Sequence, residues 1–275
     1  MRNLLKRWVA VLMWPAGITL SAQTAEPTPF DTTGIHHGTW LVGAGRTNAL
    51  DTYISPLEYT GPTFTLAHLT ERGLRHSGGR VTFSTRFDGR LAYVTSQAGN
   101  HHAYDGDFTF ATAWRYNWCP WRGLKLALGG MAEADLGFTY NTGLAGNNPA
   151  QARATLAIGL SALAAYESRL GRLPLTLTLQ ADAPLVGMKF QPHYGQSYYE
   201  IFELGHQRGH LHVTWPGNAP TLHALLTAQF HFRHLTATVG YLSDVRQSRV
   251  GELKYHSWNN SFVIGFVRHF RLTSR

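Results

Sequence analysis

Hydrophobic and polar residues alternate along much of this chain, most regularly at residues 104–118. Aromatic residues, with glycine and threonine, hold the even positions of this stretch, and charged, polar or small residues hold the odd ones. Successive side chains of an extended strand point to opposite faces. The pattern therefore predicts a strand with one apolar and one polar face. The even positions are Tyr104, Gly106, Phe108, Phe110, Thr112, Trp114, Tyr116 and Trp118.

The same alternation recurs in four later stretches, at residues 124–140, 152–167, 173–185 and 222–232. Strands of soluble proteins usually run to about 5–6 residues, whereas these stretches exceed the ~9–11 residues that cross a bilayer at a tilt. The apolar faces of the stretches at 104–118 and 124–140 end in aromatic residues, which resemble the interfacial girdles of outer-membrane barrels. Long alternating strands with aromatic ends predict a transmembrane β-barrel.

Counting the stretches predicts an all-β, antiparallel, up-and-down barrel of about ten strands, within a range of eight to twelve. An even number places both chain ends in the periplasm, and longer segments alternate with short turns as in outer-membrane barrels. The longer loops are predicted at residues 49–59, 97–103, 141–151, 187–218 and 244–258. The strands are predicted to begin near residues 39, 60, 80, 104, 123, 152, 173, 221, 235 and 260.

The Asp88-Gly89 dipeptide interrupts one of these strands with a common hairpin signal. Splitting the segment 80–96 there leaves two strands too short to span a bilayer and makes the total odd. Val81, Phe83 and Tyr93 keep one parity through the dipeptide. We therefore expect one long strand with a β-bulge at Gly89.

The first residues have the composition of a secretory signal peptide. A basic start with Arg2, Lys6 and Arg7 precedes the apolar run Trp8–Leu20, and small residues follow at 21–22. A membrane-anchoring helix is disfavoured because the run is shorter than the ~20 residues of a spanning helix. The predicted organisation is a cleaved signal peptide at 1–22, a periplasmic segment at 23–38 and an outer-membrane barrel at 39–275.

Composition adds few chemical constraints. Glycine is abundant at 28 residues and charged residues are scarce at 15%, which suits strands and turns. The single cysteine, Cys119, forms no internal disulfide, and no metal or cofactor motif accompanies it. The net charge of +8 includes three charges of the signal peptide, so no nucleic-acid partner is expected. The expected partners are outer-membrane lipid and the outer-membrane assembly machinery.

Two segments resemble a known family. The sequences NALDTYISPLEYTG at residues 48–61 and AGNHHAYDGDFTFATAWRYNW at residues 98–118 resemble an uncharacterised family of outer-membrane barrels from Bacteroidetes, with a domain of unknown function. The resemblance covers nearly the whole mature chain. It implies the barrel fold and a Gram-negative outer-membrane location, and it implies no activity.

The polar faces of the strands are predicted to line the lumen. Hairpin counting places Asp107 opposite Glu133 and Asp135, and places Arg86 near Arg115. Neighbouring carboxylates would raise one another's pKa values and support acid–base chemistry. An ion-pair network that fills a narrow barrel is the favoured interpretation. The candidate lumen residues are Arg86, Asp105, Asp107, Arg115, Lys125, Glu133, Asp135 and Arg153.

The aromatic segment at residues 196–204 is the second candidate site. Tyr198, Tyr199 and Phe202 are candidate contacts for a small-molecule ligand of unknown identity, although a lid over the barrel mouth is the favoured interpretation.

The remaining candidates give no catalytic residue. Ser84 and Ser161 point inward but lie in no nucleophile motif, and the inward His223 and His231 lie on a strand that need not adjoin them. The fifteen histidines include clusters in or near loops and chain ends, at His36-His37, His101-His102, and His206 with His210 and His212. These are expected to be solvated rather than metal ligands.

The sequence thus predicts an outer-membrane barrel with a structural, binding or narrow-transport role and a largely plugged polar lumen. One alternative is an outer-membrane barrel enzyme that acts on lipid or peptide at the outer face. Another is a soluble periplasmic β-barrel that binds a ligand.

Overall fold

The computed structural model describes residues 35–143, 149–194, 196, 198–204 and 209–271. The predicted signal peptide at 1–22 and most of the predicted periplasmic segment at 23–38 lie outside the described residues. Within them, no helix is long and apolar enough to cross a membrane.

The described chain is almost entirely β-strand, because its alternating stretches extend continuously. Eleven strands and one short helix, α1 (Tyr198–Phe202), follow one another along the chain. The strands are β1 (Ile35–Asp51), β2 (Ser55–Gly73), β3 (Val81–Ser96), β4 (His102–Trp121), β5 (Leu124–Asn141), β6 (Ala150–Leu170), β7 (Leu173–Phe190), β8 (Leu211–Thr214), β9 (Thr221–His231), β10 (Thr236–Val250) and β11 (Leu253–Arg271).

Ten of these strands close into a barrel in which every neighbouring pair is antiparallel. The ring closes where β1 pairs with β11, from Ile35 opposite Arg271 to Asp51 opposite Tyr255. The short β8 pairs with the end of β7 and lies outside the ring. The prediction of an all-β, ten-stranded, up-and-down barrel is therefore confirmed.

Two of the predicted long loops are strand instead. The loop at 49–59 reduces to residues 52–54, and the loop at 244–258 reduces to a turn at Gly251 and Glu252, both of which have positive φ. The alternation is hidden there because both faces of these strand ends mix polar and apolar residues. The longest described connection is 191–220, which carries α1 and β8.

The strand through Asp88-Gly89 is continuous as expected, but the bulge expected at Gly89 is wrong. The registers of β3 with β2 and with β4 run through this point without a shift. Asp88 points into the barrel, where its side chain pairs with Arg86 at 2.7 Å. Register shifts occur elsewhere, at Ile158/Gly159 and between Trp118 and Trp121.

In a soluble protein the buried side chains are mostly apolar and the exposed ones mostly polar. In this barrel the outer face of the wall is apolar and the inner face is polar. Outward residues such as Leu136 (60% exposed) and Ile158 (62%) are large and apolar, whereas the inward Asp105 and Arg115 are almost fully enclosed. The charged groups therefore meet one another in the lumen, which positions the candidate site.

Candidate functional site

The inner wall carries all eight lumen candidates from the sequence. Strand parity directs each of them inward, where each is buried or nearly so. They lie on β3 (Arg86), β4 (Asp105, Asp107, Arg115), β5 (Lys125, Glu133, Asp135) and β6 (Arg153). Their partners lie largely on other strands, so the side chains form a network across the barrel.

The ion pair of Arg153 crosses the centre of the lumen. Its Nη1 lies 2.8 Å from Oδ2 of Asp51, and β6 and β1 stand on opposite sides of the ring. Its Nη2 lies 3.3 Å from Oδ1 of Asp105, and its guanidinium stacks over the Tyr255 ring at 4.1 Å. This cluster obstructs the lumen at the end remote from the chain termini.

Arg90 and Arg246 neutralise the carboxylates of β4 and β5. Nη2 of Arg90 is 2.6 Å from Oδ2 of Asp105, and the same guanidinium contacts Asp107. Arg246, on β10, contacts Asp135, lies 3.4 Å from Asp107 and 2.9 Å from Asp244. Each of these aspartates therefore faces an arginine rather than an unpaired carboxylate.

Arg86 forms the middle of the network. Its Nη1 lies 2.7 Å from Oδ2 of Asp182 on β7, and its Nη2 lies 3.7 Å from Glu133. His223 joins the same group, with Nδ1 2.7 Å from Asp244 and Nε2 3.2 Å from Glu133. These contacts connect β3, β5, β7, β9 and β10 at one depth.

The innermost charges near the terminal end centre on Glu71. Its carboxylate lies 2.6 Å from Lys125 Nζ and 3.3 Å from Arg115 Nη2. Arg115 also donates to Ser161 Oγ at 3.0 Å, and Ser161 donates to Asp182 at 2.5 Å. This chain of contacts links the group to Arg86, so the lumen network is continuous.

The register corrects the expected carboxylate cluster. Asp107 lies opposite Gly137, while Asp135 lies opposite Thr109 and Glu133 opposite Ala111. Arg86 and Arg115 are also separated, since Arg86 lies opposite Ala111. Simple hairpin counting failed because β4 and β5 run on to Trp121 and Leu124 with an irregularity near the turn.

Several network residues escaped the sequence analysis. Asp51, Asp244 and Arg246 fall in segments that the sequence predicts as loops. Asp244 and Arg246 share the even parity of Thr236 and Thr238, which would have placed them on the inner face. The other members are Glu71, Asp88, Arg90 and Asp182. His223, which the sequence already placed inward, joins the network through Asp244 and Glu133.

Open space in the lumen is concentrated at the terminal end. A chamber of about 260 Å³ is lined by the apolar Leu41, Leu69 and Leu225 and by polar groups that include Glu71 and Gln180. The other lumen cavities measure about 10 to 50 Å³. The network therefore separates a vestibule from the opposite mouth.

The aromatic segment is anchored at that opposite mouth. The Ala152 N–H donates to Tyr198 Oη at 2.5 Å, and Tyr53 Oη donates to the Gln196 carbonyl at 2.6 Å. Burial raises the pKa of Tyr198. Ile201 is almost fully buried, and Tyr199 is 64% exposed. The side chain of Phe202 lies outside the described residues.

Histidines gather in the same long connection. The ring of His193 lies 5.4 Å from that of His210 and 6.0 Å from that of His212, and burial lowers the pKa of His212. His206 lies outside the described part of the chain. Among described residues, no group of three or more His, Cys, Asp or Glu side chains is arranged to hold a metal ion.

Solved structures of outer-membrane proteins share the barrel form with this chain. The outer membrane protease OmpT from Escherichia coli is 8% identical, with 90% of this chain and 99% of that chain covered and a TM-score of 0.49. The translocator domain of the autotransporter NalP from Neisseria meningitidis is 12% identical, with 85% and 88% covered and a TM-score of 0.39. Ail from Yersinia pestis is 8% identical, with 85% and 99% covered and a TM-score of 0.35.

No curated protein matches the chain. One family model matches residues 8–275, which is nearly the whole sequence. This match confirms the resemblance to an uncharacterised family, while the Bacteroidetes origin stays a prediction. The chain belongs to the family described as "Protein of unknown function (DUF3316)".

Proposed function

We propose that this protein is an outer-membrane β-barrel with a closed lumen, and that its role is structural or binding rather than that of an open pore. The observation that carries the proposal is the set of ion pairs that cross the lumen. Arg153–Asp51, Arg86–Asp182 and Arg246–Asp135 each join strands on far sides of the ring. A path for solutes would have to break these contacts.

The outer surface supports insertion into a membrane. Large apolar side chains are exposed around the ring, including Phe108 (50%), Leu156 (66%) and Phe262 (75%). Exposed aromatic residues lie toward both ends of β4, with Trp118 at one end and Tyr104 at the other. An apolar band between aromatic girdles is the surface that a bilayer covers in known barrels.

The connections support an orientation. Both ends of the described chain, Ile35 and Arg271, lie at the end of the barrel that carries the two-residue turns 122–123 and 171–172. The long connection 191–220 lies at the other end, together with the short turns 52–54 and 251–252. Chain termini are periplasmic and the longer loops extracellular in outer-membrane barrels, so the termini and the long connection together place α1 on the outer side.

A binding role is supported by the chamber at the periplasmic end. Its volume of about 260 Å³ falls just below the ~300–1,000 Å³ of typical ligand pockets. A solute that entered from the periplasm would therefore be small and would meet both leucine side chains and polar groups. The ion pairs above the chamber would hold it on the periplasmic side.

Planar-bilayer recording tests the closed lumen. We expect the purified protein, first shown by heat-modifiable gel mobility to be a folded barrel, to give no resolved conductance steps at neutral pH. The double variant Arg153→Ala, Arg246→Ala should give small steps, because the crossing guanidinium groups are gone. The matched control, Arg169→Ala, alters an exposed arginine near a turn and should stay silent. Regular steps from the unaltered protein would overturn the closed-lumen proposal.

A further inference from the structure

We propose that the outer wall formed by β10, β11 and β1 binds the phosphorylated head groups of outer-leaflet lipids. This inference rests on the membrane insertion proposed above. A row of outward polar residues interrupts the apolar belt on this wall, whereas the belt of the opposite wall on β5 is continuous. Ser243 lies opposite Asn260, and Asn260 lies opposite Arg46, so the three residues are neighbours across three strands.

The continuous apolar run below this row is short. On β11 it comprises the outward Phe262, Ile264 and Phe266, and Arg268 follows. Above Asn260 the next outward residue of β11 is Trp258, which is 40% exposed and lies opposite Val245 and Asn48. The stretch from Trp258 to Phe266 matches the ~9–11 residues of a strand that crosses a bilayer, so head groups of the outer leaflet would meet the wall near Trp258, one outward step above Ser243 and Asn260.

The opposite wall shows that the short band is a local feature. On β5 the outward residues are apolar or glycine from Leu124 to Tyr140, with Leu128, Leu136 and Phe138 well exposed. The outer wall of β5 lies across the ring from that of β11 and β1. One side of the barrel thus offers a full-height apolar belt, and the other offers an upper half in which polar residues and the apolar Val245, Trp258 and Leu50 are mixed.

The polar row has the chemistry of an anion site. Tyr241 Oη and Ser243 Oγ both donate to Asn260 Oδ1, at 3.1 and 3.0 Å. Both contacts engage the amide oxygen, so Nδ2 serves as a donor. Arg46 is exposed and makes no ion pair with any described residue. A guanidinium and an amide N–H on adjacent strands suit the oxygens of a phosphate.

The charges above the row are mainly positive. Arg249 and Lys254 lie opposite each other at the outer ends of β10 and β11, and both are exposed. The acidic groups nearby are Glu252, in the adjoining turn, and Glu58 on β2, which accepts from Asn48 at 3.2 Å. Three cations against these two carboxylates favour an anionic head group over a zwitterionic one.

A lipid phosphate would lower the free-energy cost of placing Arg46 on the outer wall. An outward Arg at the bilayer midplane costs about 2–4 kcal/mol, and the cost falls toward the interface. Arg46 lies two residues below Asn48, which stands opposite Trp258, so its flexible side chain reaches the head groups at the level of that aromatic residue. The lipid phosphate would then pair with the guanidinium of Arg46, which no described carboxylate does.

Native mass spectrometry of the detergent-solubilised protein, titrated with diphosphorylated lipid A, tests the proposal. We expect Arg46→Gln to weaken binding about tenfold, since one charge-assisted contact is lost. Asn260→Leu should weaken binding as well. Arg46→Lys should bind lipid A more tightly than Arg46→Gln and more weakly than the unaltered protein. The matched control, Arg169→Gln at the other end of the barrel, should bind like the unaltered protein.

The outcomes separate this proposal from the proposed function. Equal lipid A binding by the unaltered protein and Arg46→Gln, with both shown to be folded barrels by gel mobility, would overturn the lipid site alone. Equal binding of lipid A and of its dephosphorylated form would overturn it too. Recovery of the unaltered protein only in the soluble periplasmic fraction would overturn membrane insertion itself.

Discussion

Each buried arginine of the lumen exchanges its hydration shell for carboxylates from other strands. Arg246 contacts two of them, Asp107 on β4 and Asp135 on β5, together with Asp244 on its own strand. Removing a charge from water costs several kcal/mol, and the cost is recovered only while the partners stay in place. Single substitutions in the network should therefore be more harmful than paired ones.

The Arg153–Asp51 pair allows a direct test of this coupling. Arg153→Met should lower the free energy of unfolding by about 3–5 kcal/mol, because the buried Asp51 loses its ion-pair partner. Asp51→Asn should lower it by less, because Arg153 keeps Asp105 at 3.3 Å. The double variant should lose less than the sum of the two. Urea unfolding followed by tryptophan fluorescence in lipid vesicles measures all three, with Arg169→Met as the exposed control. Strict additivity would contradict the coupling.

The same residues show which features of the lumen network the sequence pattern could predict. Parity alone directed Asp105, Glu133 and Arg153 inward, because alternation reports which face a side chain occupies. It could not name their partners, since Arg153 and Asp51 are 102 positions apart. Partner choice depends on how the ring closes and on strand stagger, and neither property is encoded within one strand.

At the scale of the strand, the hydrophobic pattern located the segments but not their ends. β10 and β11 continue beyond the regular alternation because backbone pairing between them extends as far as Val250 and Leu253. Both faces of these ends mix polar and apolar residues, so the pattern gave no sign of it. The predicted bulge at Gly89 failed for a related reason. A turn-forming dipeptide is overridden when both neighbouring strands pair through it.

Adjacent glycines on β5 test how closely the strands approach. A Cβ on Gly129 would lie 1.8 Å from the Trp114 carbonyl oxygen, whereas on the neighbouring Gly130 the nearest atom is at 4.0 Å. Gly129→Ala should therefore destabilise the barrel by about 1–3 kcal/mol, the usual range for overpacking. Gly130→Ala should be nearly neutral. The urea midpoints of the two variants decide the matter, and equal midpoints would refute the close approach.

At the scale of the whole molecule, the single cysteine reports orientation. Cys119 is exposed and lies near the 122–123 turn, which the proposed orientation puts in the periplasm. We expect a membrane-impermeant maleimide to label it only after the outer membrane is permeabilised.

The matched variant carries Ala98→Cys and Cys119→Ser. Residue 98 lies exposed in the turn between β3 and β4, at the opposite end of the barrel. This variant should be labelled in intact cells. The reverse pattern, with Cys119 labelled in intact cells and residue 98 protected, would invert the orientation.

The seam between β1 and β11 has a consequence for how the barrel forms. It joins the first and last described strands of the chain along the full length of β1, so it can form only after the last strand has been made. Until then two unpaired edges remain open, and Asp51 and Arg153 lack the geometry to meet across the lumen. An unfinished barrel thus carries open edges and unneutralised charges at once. Closure of the ring removes both together, which favours an all-or-none final step over a population of partly closed intermediates.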